Sequence, residues 1–85
     1  MKPDWAKIER EVNAAIDAAT WTSIPGPRDA EAYQGTAPGA VFTVVCGDPR
    51  APGSLGYDGA VAFSRGVVVR LTREQAERAV QKARG

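Results

Sequence analysis

The sequence predicts a small α+β domain, ordered α-β-β-β-α, with helix 1 packed on one face of a three-stranded antiparallel sheet. Three observations carry this. Residues 2–19 have the period of an amphipathic helix. Residues 60–71 hold two Val- and Phe-rich segments separated by a glycine-closed turn, and residues 72–75 carry a helix-start signature. Eighty-five residues fit one domain, 1–85, with a single modest core.

The first helix is read over Lys2–Ala19. Pro3 suits the first helical position and Asp4 complements the helix dipole. Trp5, Ile8, Val12, Ala15, Ile16 and Ala19 share one stripe at about 100° per residue, with Lys7, Arg10, Glu11 and Asp17 facing away. The β-branched Thr20 and Thr22 weaken the helix, and Pro25 ends it. Residues 22–39, punctuated by Pro25, Gly26, Pro27, Gly35, Pro38 and Gly39, read as a long irregular connection with a short extended piece near Ala32–Gln34. Ala40–Cys46 is a strand, with Phe42, Val44 and Cys46 on one face and Val41, Thr43 and Val45 on the other. A second long loop, 47–59, follows.

The strands Ala60–Phe63 and Val67–Leu71 form a hairpin whose register is decided by side chains. A two-residue Arg65-Gly66 loop would force Arg65 to positive φ. A three-residue Ser64-Arg65-Gly66 loop pairs Phe63 with Val67 and Val61 with Val69, and places Val61, Phe63, Val67, Val69 and Leu71 on one face. The second register is therefore expected. Thr72 and Gln75 then form a capping box opening a helix to Arg84, whose apolar stripe of Ala76, Ala79, Val80 and Ala83 is thin.

Composition excludes several classes. With 44% hydrophobic and 25% charged residues the chain is globular rather than disordered. No apolar run approaches the ~18 residues of a membrane span, and MKPDWAKIER has charges where a signal peptide would need an apolar stretch. A lone cysteine gives no internal disulfide, so a reducing cytoplasmic setting is expected. Eight Arg against three Lys, with abundant Ala, Gly and Pro, suggest a GC-rich coding source such as an actinobacterium or its phages.

The chain has no histidine. That removes the commonest general base, the His-paired nucleophiles and His-containing zinc sites. No catalytic residue, cofactor site or metal site is assigned. Cys46 lacks a histidine to activate it and reads as a buried, inert side chain. The run from Gly53 to Gly59 lacks the spacing and the following helix of a phosphate-binding loop. Asp48 and Asp58, with Arg50 and Tyr57 nearby, would be the working groups if the 47–59 loop served a small enzyme or ligand binder; turn chemistry explains them better.

Two surfaces remain. Net charge is +1, but from residue 60 onward six cations face only Glu74 and Glu77. Arg65, Arg70, Arg73, Arg78 and Lys82 would be the contacts of a nucleic-acid-binding protein, although a Glu74–Arg78 pair and the lack of interleaved aromatics favour a solvated face. Val41, Val45 and Val68, with Ala60 and Ala62, form a second sheet face that the thin closing helix covers incompletely. Trp21 either folds back onto the core, the favoured outcome, or stands free with Ile24 and Tyr33. The leading expectation is a non-catalytic interaction or regulatory protein that binds another macromolecule, a protein partner or a second copy, through Trp21, Tyr33, Val41, Val45 and Val68.

Overall fold

In a computed structural model, residues 4–26, 30–46 and 57–85 are described. They form helix α1 (Trp5–Ala18), strands β1 (Thr20–Pro25), β2 (Glu31–Ala37), β3 (Ala40–Cys46), β4 (Tyr57–Phe63) and β5 (Val68–Arg70), and helix α2 (Arg73–Arg84). The strands pair antiparallel in chain order, β1-β2-β3-β4-β5. The α+β class and the flanking helices agree with expectation. The strand count does not: the sheet has five strands, because β1 and β2 occupy most of what reads as an irregular connection, and β4 opens at Tyr57, inside the stretch expected as the 47–59 loop.

The reason is local. Asp4 caps α1, its side chain accepting from the Lys7 amide, so the helix opens at Trp5 rather than at Lys2, and Ala19 leaves it with extended dihedrals. Thr20 therefore opens a strand directly, and its β-branch suits that role. Ala37 pairs with Ala40 across a two-residue Pro38-Gly39 turn. Pro38 is suited to the first turn position and Gly39, at φ +74°, to the second, the type II arrangement.

The β4–β5 hairpin has the expected three-residue turn. Val61 pairs with Val69, the Phe63 amide donates to the Val67 carbonyl at 2.8 Å, and Gly66 sits at φ +93°. Side chains of Phe42, Val44, Val61, Phe63 and Leu71 line one sheet face and are buried there with Val12 and Ile16 of α1 and Ala76, Ala79 and Val80 of α2. Val67, assigned to the same face, is 39% exposed at the sheet margin.

Both helices lie on that face, correcting the expectation that α2 would partly cover the other. α2 follows β5 after two residues and reaches β1 through β4, and its small side chains permit close approach beside α1. The pair is tied by Gln75 donating to Asn13 Oδ1 at 3.4 Å, and by Arg78 on Asp17. Arg78 thus turns to α1 rather than to Glu74, while Arg73 pairs with Glu77.

The capping box forms in full. The Gln75 amide donates to Thr72 Oγ1 at 3.2 Å and the Thr72 amide to Gln75 Oε1 at 2.9 Å. Thr72→Ala is expected to cost about 1 kcal/mol, read as a lowered urea midpoint at unchanged slope; an unchanged midpoint would show that the cap is dispensable.

Candidate functional site

The sheet's second face is built by alternation. Reading across the paired registers, Thr20, Thr36, Val41, Ala62 and Val68 form one row. Thr22, Gln34, Thr43, Ala60 and Arg70 form the next, and Ile24, Ala32, Val45 and Asp58 a third. Neither helix lies on this side. Val68 is 71% and Val41 39% exposed, and Val45 is half-buried. Thr43, Val45, Asp58, Ala60, Val68 and Arg70 line a shallow depression of about 550 Å³. An antiparallel sheet tolerates water on one face when that face is polar. The threonines fit that pattern and the exposed valines do not.

The five residues expected to meet a partner separate into two groups. Val41, Val45 and Val68 share the open face. Trp21 and Tyr33 point the other way, toward the helices. Trp21 lies over Gly35, its ring 5.5 Å from that of Phe42, and its Nε1 donates to the Ile16 carbonyl at 3.4 Å. That bond serves an orphan carbonyl of the α1 C-terminus. Tyr33 is buried in the core cluster. Their packing leaves neither on the open face.

The basic third is not an unpaired cationic stripe. Arg65 pairs with Glu11 at 2.7 Å, Arg70 with Asp58 at 3.4 Å, and Arg73 with Glu77 at 3.2 Å. Arg78 and Lys82 share Asp17, at 2.7 and 3.7 Å. Arg84 grips Glu31 with Nε at 3.0 Å and Nη2 at 2.5 Å. The excess of cations in residues 60–85 is thus matched by acids that the fold brings from the first 60.

No family model matches this chain, nor does a curated protein or a solved structure. Function must therefore be argued from its own residues.

One polar cluster escapes sequence reading. Tyr33 donates to Glu31, Arg84 clamps the same carboxylate, and Arg84 Nη2 lies 4.0 Å from Cys46 Sγ. Glu31 and Tyr33 are two apart on a strand and so share a face, a signal visible only once β2 is recognised. The cluster fixes the end of α2 to β2. Cys46 is half-buried rather than fully enclosed, and desolvation raises its thiol above the usual range, which keeps it protonated. Among the described residues no three His, Cys, Asp or Glu side chains converge on a metal site. Asp48, Arg50 and the run from Gly53 to Gly56 lie outside the described residues. No helix among those described is long and apolar enough to cross a membrane.

The Arg84 guanidinium, followed by the Tyr33 hydroxyl, holds the Glu31 carboxyl down to about 2 from 4.5. A depressed carboxylate stabilises the fold above its unfolded value and loses that contribution as pH falls through the folded one. The window is therefore pH 4.5 down to about 2. Glu31→Gln is expected to melt below the parent at pH 7 and to converge with it near pH 2. Parallel melting curves across the whole range would refute the assignment.

Proposed function

We propose that this is a non-catalytic interaction protein that docks another protein chain on its open sheet face. The observation carrying this reading is the placement of both helices on one side. That placement leaves Val41 and Val68 exposed and Val45 half-buried, with neither helix over them. Val41, Ala62 and Val68 form an exposed apolar row across β3, β4 and β5, which suits a protein contact. The nucleic-acid alternative rests on Arg65, Arg70, Arg73, Arg78 and Lys82; each already has an acidic neighbour in the same chain, and no aromatic residue is interleaved among them to stack a base.

The test compares the parent with Val41→Asp and Val45→Asp by capture from an extract of the source cell and by sedimentation velocity. A partner bound by the parent should be held roughly 30-fold more weakly by the variants, as for about 2 kcal/mol at an interface centre. It should be retained by the helix-surface control Lys7→Glu. Identical partners and identical sedimentation for all four proteins would sink the reading.

A further inference from the structure

We infer that the free edge of β5 is a slot for an extended segment of a partner protein, apolar at its centre and acidic at its flanks, which adds to the sheet as a sixth strand beneath Trp5. The edge adjoins the open face at Val68, but it is read by backbone pairing at Val68 and Arg70 rather than by that face's side chains.

The slot follows from where the helices begin. Asn13 meets Gln75, while Asp17 meets Arg78 and Lys82, so α1 and α2 run side by side in the same direction. Both run toward β1. Thr20 follows α1 almost at once, and Arg84 at the end of α2 reaches Glu31 of β2. Both helix starts therefore point toward β5. From the Asn13–Gln75 contact, the Thr72 cap of α2 lies three residues back, about 4.5 Å. Trp5 lies eight residues back along α1, about 12 Å. The difference exceeds the ~4.8 Å spacing of strands. The first turns of α1 thus project past the last strand by room for one more.

The projecting side chains fit a roof. Trp5 belongs to the stripe of Ile8, Val12 and Ile16 that faces the sheet. Val12 and Ile16 are buried and Ile8 is half-buried, but Trp5 is 65% exposed. The stripe continues beyond what it covers. At the edge of β5, Val67 is 39% exposed on the core side and Val68 71% on the other.

Among the described residues no strand pairs with the outer edge of β5. The Phe63 amide donates to Val67 and the Leu71 amide to Gly59. By antiparallel alternation, Val67, Val69 and Leu71 direct their backbone groups to β4, whereas Val68 and Arg70 direct theirs outward. An exposed, β-branched edge with free ladder groups is a template for strand addition. Residues 64–73 include Arg65, Arg70 and Arg73 and no acid. Their partners Glu11, Asp58 and Glu77 are held through exposed pairs that contribute little and exchange readily. Acidic flanks on an incoming strand would meet those three guanidinium groups. β1, the opposite edge, ends in Pro25 and carries no charged side chain.

The test titrates the capped peptide EVTVTVE into Trp21→Phe protein, where Trp5 is the sole tryptophan, and follows amide exchange in the unmodified chain. A saturable blue shift and slowed exchange at the Val68 and Arg70 amides are expected. KVTVTVK should bind about tenfold more weakly, and EVTPTVE, lacking its central donor, should give no protection. Absent protection at Val68 and Arg70, equal protection by the proline peptide, or slowing confined to β1 would each overturn the proposal. Exchange in the native chain decides the matter if Trp21→Phe fails to fold. Val41→Asp should leave peptide binding unchanged, so failure here and failure of the open-face reading are told apart.

Discussion

Phe42→Ala is expected to destabilise the protein by about 3–5 kcal/mol, the largest effect of any single truncation proposed for this chain. Phe42 is fully buried at the middle of the central strand and is the largest side chain that is. It pairs with Gly35 on one side and Val61 on the other, packs at a tilt against Trp21, and belongs to the cluster that includes Val12 and Ile16 of α1 and Val80 of α2. Truncation leaves a cavity bounded by two strands and two helices. Those walls are held by the capping box, the Asn13–Gln75 bond and the sheet ladder, so collapse is restricted. A domain of this size has roughly 4–13 kcal/mol in all, and each kcal/mol moves its melting point by about 4–8 °C. The expected result is a fall of at least about 12 °C, with part of the population unfolded at 37 °C if the parent lies at the lower end. Urea titration supplies the check, with Val41→Ala on the open face as a control expected within about 0.5 kcal/mol. Similar losses for the two variants would mean that the core is not where the fold places it.

Gly35→Ala is expected to cost about 1–3 kcal/mol, although it adds one methyl group. A Cβ at position 35 would sit 2.7–2.8 Å from the six-membered ring of Trp21. That ring cannot swing away freely, because its N–H is bonded to the Ile16 carbonyl and its face packs near Phe42. Either the indole leaves its seat or β1 shifts from β2. The strain belongs to one pair, so the effect should be strongly non-additive: in a Trp21→Ala background, Gly35→Ala should cost far less. A Trp5→Phe background isolates Trp21 fluorescence, and its emission should move to the red in Gly35→Ala. An equal cost with and without the indole would rule out this origin.

The same glycine explains why half of the sheet was hard to read from the sequence. In β2 the core-facing positions are Tyr33, Gly35 and Ala37, and two of the three are too small to register as buried. In β1 the outward positions are Thr20, Thr22 and Ile24, and the inward ones include Ser23. Apolar alternation is weak in both, while Pro and Gly punctuate the stretch heavily. What makes these strands is cross-strand complementarity, an indole laid over a glycine, which no single segment displays. β3, with Phe42 and Val44 against Val41, Thr43 and Val45, is legible in the sequence at its observed limits.

The candidate surfaces divide along the same line. Val41, Val45 and Val68 could be assigned to one face from period-2 alternation and hairpin register, since both are local. Trp21 and Tyr33 could not be set apart from them, because their direction depends on β1 and β2. The cation-rich end looked unbalanced in the sequence because Glu11, Asp17, Glu31 and Asp58 are distant along the chain and adjacent only in the fold.

By itself the sequence determined the helices, the cap at Thr72, the β4–β5 register and the absence of histidine chemistry. These depend on periodicity, turn stereochemistry and residue inventory within a few positions. Only the tertiary structure decided the strand count, the side on which α2 lies, the partners of the arginines and the exposure of Trp5. Those depend on contacts between residues tens of positions apart, where packing volume and pairing geometry, not local preference, select the arrangement.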